Sequence, residues 1–173
     1  MSRNYNPGVS SIDHKKDAPT NLRCAVLTIS DSRTPATDNS GDAIVEALRG
    51  AGHEVLERQI VRDEPSLVRD FVQKHASEAQ VIITTGGTGI TSRDTTFEAI
   101  SGMLDKTLDG FGELFRMLSY DEIGSAAMMT RACAGTIGRT IVFALPGSPH
   151  AVALAMNKLI LPEIGHVVRE LSR

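Results

Sequence analysis

With 173 residues, 41% of them hydrophobic and 23% charged, and a formal net charge of −3, the chain has the composition of one globular domain. A domain of this size buries roughly 70% of the surface its unfolded chain exposes, so a core needs neither disulfide nor structural metal. The slightly acidic balance, the absence of tryptophan and an aromatic content of only 4% argue against a nucleic-acid binder built on basic stripes and base stacking.

Residues 1–21 are polar and rich in Gly, Pro and Ser, with no apolar h-region. A flexible tail is expected there, not a secretory signal. No apolar segment of membrane-spanning length stands out. Cys24 and Cys133 are isolated, without a Cys-x-x-Cys pair or a histidine at ligand spacing, and Cys24 in its apolar run is expected as a buried small hydrophobe. A cytoplasmic protein without a membrane partner is the expectation.

Residues 22–30 form a continuous apolar run ending in small polar residues, which predicts a strand buried on both faces. A polar loop over 34–39 leads to Ser40, placed to cap a helix over 42–50 in which Ala43, Ile44, Ala47 and Leu48 recur at helical spacing. Residues 54–61 alternate and predict a second strand. Asp63, Glu64 and Pro65 then open a helix over 66–76. Residues 81–85 are a third apolar strand, cut off at Gly86. A helix is expected from about 95–96, another over 111–119, and 126–136 is open between helix and loop. Residues 140–145 are a fourth strand, and two helices separated at Pro162 finish the chain. Strands alternating with helices predict an α/β fold with a parallel sheet covered on both faces. Ligands of such sheets bind beyond the carboxyl ends of the strands, where Ser30-Asp31, Asp63-Glu64, Thr85–Gly89 and Pro146–Pro149 should gather.

Thr85-Gly86-Gly87-Thr88-Gly89 is either a tight turn or an anion site, since glycines let backbone N–H groups reach an anion ahead of a helix N-terminus. It is neither a P-loop nor a dinucleotide fingerprint. Asp94 reads as a helix cap, or as a carboxylate that tolerates a nearby phosphate only through a cation such as Mg²⁺. Asp63 is open between decorating a helix N-terminus and acting as a second carboxylate beside Asp94. Ser148 either caps the next helix or bonds a ligand phosphate while doing so. Capping is the favoured role of Asn39, Ser40 and Gly41, His150 is expected as a partly exposed helix residue, and Met128 and Met129 are expected to pack.

Together, Thr85-Gly86-Gly87-Thr88-Gly89, then Arg93-Asp94-Thr95-Thr96 with Glu98-Ala99, then Ala144-Leu145-Pro146-Gly147-Ser148-Pro149 resemble the MoaB/Mog molybdenum-cofactor family. The likeness covers everything but the tail. Residues 110–119 followed by Glu122-Ile123-Gly124 resemble the MoaB branch. The resemblance implies a three-layer α/β/α sandwich around a mostly parallel sheet, assembled as a homotrimer or homohexamer. It implies transfer of AMP from Mg-ATP to the terminal phosphate of molybdopterin, with release of pyrophosphate. By the same resemblance Asp63 and Asp94 serve adenylyl transfer, and as carboxylates beside a phosphate-type loop they are expected to hold Mg²⁺. Ser30, Asp31, Thr85, Gly86, Gly87, Thr88, Gly89, Pro146, Gly147 and Ser148 line the molybdopterin and nucleotide pocket. The alternative is a MoaB-branch module that binds molybdopterin without chemistry.

Overall fold

Three apolar runs set the middle of the sheet. β1 (Arg23–Ile29), β3 (Val81–Thr85) and β6 (Thr140–Leu145) are buried along nearly their whole length, as strands covered on both faces must be. β2 (Glu54–Val61) is more exposed and lies at the sheet edge. The computed structural model describes residues 19–173; positions 1–18 of the expected tail lie outside the described residues. The strand order is β2-β1-β3-β6-β5-β4. The first four are parallel, β5 (Cys133–Ile137) runs antiparallel to β6, and β4 (Lys106–Thr107) antiparallel to β5.

Because side chains alternate across a strand, neighbouring residues enter different cores. Cys24, Val26, Val81, Ile83, Ile141 and Phe143 pack on one face with Ile44 and Leu48 of α1 (Asn39–Gly50) and Phe111 and Phe115 of α4 (Asp109–Ile123). Ala25, Leu27, Ile82 and Val142 pack on the other with Val68 and Phe71 of α2 (Pro65–His75) and Ile100 of α3 (Thr96–Ser101). The result is the expected three-layer α/β/α sandwich.

Three elements differ from expectation. The segment open between helix and loop is a 3₁₀ turn over Gly124–Met129 followed by β5. Its Ala134 and Gly135 have little strand propensity; Gly135 is small because Lys106 O of β4 and Leu104 pack close, and a β-carbon there would sit 2.6 Å from Leu104 Cδ1. α1 is capped by Asp38, which accepts from the Gly41 N–H at 3.0 Å, and not by Ser40. Pro162 does not separate two helices. α5 (Pro149–Ala155) continues through a π turn, Met156–Ile160, into α6 (Leu161–Leu171), and the Leu161 N–H reaches back to Met156 O. The wider turn absorbs the proline's missing donor.

That continuous stretch, Pro149–Leu171, has the length and apolarity of a membrane span, contrary to the sequence expectation. It carries Lys158, Glu163, Arg169 and Glu170 on one side, and the sheet takes its other side through Val152, Met156, Ile160, Ile164 and Val168. One face of it is packed into the core.

β1 leads through α1 to one side of the sheet, whereas β3 is followed by β6 on the other. Their carboxyl ends therefore flank a point where the winding reverses, and a crevice opens there. Since β3 is central, Ile83→Ala should lower unfolding free energy by about 2–5 kcal/mol in urea titrations with an unchanged denaturant slope. A cost under about 1 kcal/mol would contradict the placement.

Candidate functional site

The ends of β1, β3 and β6 come together through backbone. Gly86 donates its N–H to Leu145 O at 3.0 Å, and Thr85 donates its hydroxyl to Pro146 O at 2.8 Å. Gly86 has φ +104°, and a β-carbon there would run into the Ile29 carbonyl. At Gly87, φ is +62° and a β-carbon would come 2.7 Å from Asp63 Oδ2. Only glycine fits this conformation and this closeness. Gly147 packs against Gly86, and Ser40 at the start of α1 donates its hydroxyl to Gly147 O at 2.8 Å.

These loops enclose a cleft of about 470 Å³. Of the residues expected from the sequence, Ser30, Thr85, Gly86, Gly87, Thr88, Gly89, Asp94, Pro146 and Gly147 line it. Asp63 stands behind Gly87, accepting from the Thr95 hydroxyl at 3.1 Å. Asp31 faces a neighbouring groove of about 550 Å³ with Arg33, Arg58 and Arg62, and its carboxylate pairs with Arg93 at 2.5 Å. Ser148 caps α5, accepting from the Ala151 N–H at 3.1 Å. Asp94 does not cap a helix. It accepts from the Thr91 hydroxyl at 2.5 Å and the Thr91 N–H at 2.9 Å, closing the loop from 91 to 94.

Residues 25–166 match the family described as a probable molybdopterin binding domain. The chain is 54% identical over 168 residues to molybdenum cofactor biosynthesis protein B of Bacillus cereus, which covers 95% of this chain and 99% of that one. A crystal structure titled molybdenum cofactor biosynthesis protein B superposes with a TM-score of 0.86 at 55% identity, covering 90% of this chain and 99% of the other. The tungsten cofactor synthesizing protein MoaB of Pyrococcus furiosus superposes at 0.80 with 38% identity, covering 90% and 100%. This chain belongs to the MoaB branch of the molybdenum-cofactor biosynthesis family.

Further residues of this family member reach the cleft although the sequence reading gave them no part in a ligand pocket. Thr28, Arg33, Asp38, Ser40, Met129 and Thr130 all line it. The run Asn39-Ser40-Gly41 reads as a helix cap, but the capping residue is Asp38 just before it, which leaves the Ser40 hydroxyl for Gly147. Met128 is 80% exposed and Met129 half exposed at the rim, so this pair is not interior packing. His150 is exposed as expected, with Nδ1 3.4 Å from Glu122 Oε2.

Each carboxylate sits in a different field. Burial pushes the Asp38 carboxyl up, but the Arg58 guanidinium, the Gly41 amide and the Thr28 hydroxyl at 2.7 Å hold it below its ordinary 3.8. Arg58 also pairs with Asp42. Burial raises the Asp63 carboxyl, Thr95 opposes this, and the charges of Asp94 and Asp31 add to the rise. The Thr91 hydroxyl lowers Asp94, burial opposes it, and the Thr91 and Gly89 amides and Arg131 add to the lowering. The Cys24 thiol, pushed up to about 12 by burial, is inert packing.

Among the described residues no group of three or more His, Cys, Asp or Glu could hold a metal. Mg²⁺ bound through one or two carboxylates plus substrate phosphates does not require such a group. The Thr96 hydroxyl lies fully buried beneath Gly87 with no hydrogen-bond partner, on the same side as Asp63 Oδ2. Oxygen donors of this kind suit a hard cation, and Asp63 and Asp94 are the residues that would hold one.

Two variants check this geometry. Gly86→Ala should cost at least about 1–2 kcal/mol from its backbone angle and more from the Ile29 collision, while Gly50→Ala, in open space at a helix end, should change stability by less than about 1 kcal/mol. Equal effects in thermal unfolding would contradict the account. The Asp38 contribution to stability is fully present above its ordinary 3.8 and fades as pH falls through its lower folded value. Urea titrations from pH 5 to pH 3 should therefore show a shallower acid loss in Asp38→Asn than in wild type; parallel curves would show that the carboxylate adds nothing.

Proposed function

We propose that the chain transfers AMP from ATP to the terminal phosphate of molybdopterin, releasing pyrophosphate. The observation that carries this reading is the pairing of a glycine loop with two carboxylates: Gly86–Gly89 form one wall of the cleft, Asp94 lines it, and Asp63 stands directly behind Gly87. The family description, a probable molybdopterin binding domain, supports molybdopterin as the ligand.

In this reaction an oxygen of the molybdopterin phosphate attacks the α-phosphorus of ATP. The bond from that phosphorus to the bridging oxygen breaks, and pyrophosphate leaves with the electron pair. A phosphate monoester is largely dianionic near neutral pH, so no base has to remove a proton first. The difficulty is bringing two anions together, and positioning with charge neutralisation is most of the catalytic task. Amides of the glycine loop grip phosphate oxygens, and the Ser40 hydroxyl and the rigid Pro146–Ser148 turn shape the opposite wall. Asp63 and Asp94 orient the nucleotide. Mg²⁺, when held by these carboxylates, supplies positive charge against the polyphosphate.

A cytoplasmic location and assembly as a homotrimer or homohexamer belong to the same reading. Leu114, Met117, Tyr120, Ile123 and Met128 support assembly as exposed apolar side chains on and after α4.

Purified chain with ATP, Mg²⁺ and molybdopterin should yield adenylylated molybdopterin and pyrophosphate. Asp94→Asn should keep molybdopterin affinity within about threefold while AMP transfer falls by roughly 100-fold or more. Full turnover in that variant overturns the role of Asp94. Tight molybdopterin binding by wild type without pyrophosphate release overturns the enzyme in favour of a binding module.

A further inference from the structure

Arg131 lies between the 3₁₀ turn and β5, next to Thr130 of the cleft wall, and does not itself line the cleft. Its Nε donates to Thr88 O at 3.3 Å and one terminal nitrogen donates to Asp94 O at 2.9 Å. The other terminal nitrogen pairs with Glu98, and the guanidinium lies 5.1 Å from the centre of the Phe97 ring. Arg131 is three-quarters buried and held on every side. Its charge is spent on the protein, so it does not present itself to a ligand.

The two carbonyls it holds share a property. A trans peptide is planar and its C=O and N–H point in opposite directions, so fixing the oxygen also aims the following N–H. The peptide after Thr88 O ends in the Gly89 N–H, which bears on the Asp94 carboxylate; a β-carbon at Gly89 would lie 2.6 Å from Asp94 Oδ2. The peptide after Asp94 O ends in the Thr95 N–H, which bears on Asp63, the carboxylate that the Thr95 hydroxyl also holds at 3.1 Å. One guanidinium thus sits behind two peptide planes, and each plane faces one carboxylate.

We propose that Arg131 is the positioning residue that sets the orientation of both Asp63 and Asp94, acting through the Thr88–Gly89 and Asp94–Thr95 peptides. The inference rests on the reading of these two aspartates as the carboxylates of adenylyl transfer. The task demands a rigid fork of donors. A lysine offers one compact charge and cannot hold two carbonyls and a carboxylate at fixed angles, so Arg131→Lys should retain charge without retaining the geometry.

The test compares wild type, Arg131→Lys and Arg131→Met by amide hydrogen exchange and by AMP transfer. In both variants the Gly89 and Thr95 amides should exchange about tenfold faster or more, while amides of β1 and β3 keep their protection. The kcat of AMP transfer should fall about 100-fold, with the KM for molybdopterin changed by less than about threefold. Should Arg131→Met fail to fold, Arg131→Lys carries the comparison. Unchanged exchange at Gly89 and Thr95 overturns the proposal, as does a loss of protection spread evenly over the molecule or an unchanged kcat. If wild type itself transfers no AMP, the functional reading falls, and the exchange comparison alone decides what Arg131 holds.

Discussion

Everything at the ligand edge depends on how closely Gly86 lies between the ends of two strands. Its N–H reaches Leu145 O at 3.0 Å, and its α-carbon faces the Ile29 carbonyl with no room for a side chain. This contact draws the ends of β1, β3 and β6 together where the winding of the sheet reverses. Gly87 then passes over Asp63, and Gly147 packs on Gly86 from the other side. Were the three strand ends further apart, the Ser40 hydroxyl could not meet Gly147, and the cleft would lose its second wall.

Electrostatics build on that backbone frame. Asp38 and Asp94 line the cleft and Asp63 stands just behind Gly87, an arrangement hostile to phosphate unless each carboxylate is tied down. Asp38 is tied by Arg58, Gly41 and Thr28, which turns it from a ligand of the cleft into part of its wall. Asp94 is tied by Thr91 and its loop amides. Asp63 is the least compensated, since burial and neighbouring carboxylates push its carboxyl upward while Thr95 alone opposes them. A positive partner delivered with the substrate would relieve that imbalance, and this is the physical link between the fold and a magnesium nucleotide.

The parts legible in the sequence are those where one physical signal dominates. Buried parallel strands read as unbroken apolar runs, so β1, β3 and β6 and the loops after them could be placed, and nine of the residues expected in the pocket line the cleft. β5 is not legible because its Gly135 is chosen for close approach to Lys106 of β4 and to Leu104, a tertiary demand without periodicity. Ser40 reads as the cap because Asp38 looks like loop until Thr28 and Arg58 are brought to it from β1 and β2. Arg131 gave no signal, since its value comes from carbonyls 43 and 37 residues away. Pro162 reads as a break, but a π turn lets the helix run on. Local chemistry was readable and long-range coincidence was not.

A crystal structure of the chain soaked with molybdopterin and a non-hydrolysable ATP analogue tests the central claim most directly. The account predicts phosphate oxygens at about 3 Å from the amide nitrogens of Gly87 and Thr88, with the nucleotide phosphates on the side of Asp63 and Asp94. Ligand density in the apolar groove beside Phe111 and Val167, or a glycine loop without phosphate contact, would contradict it.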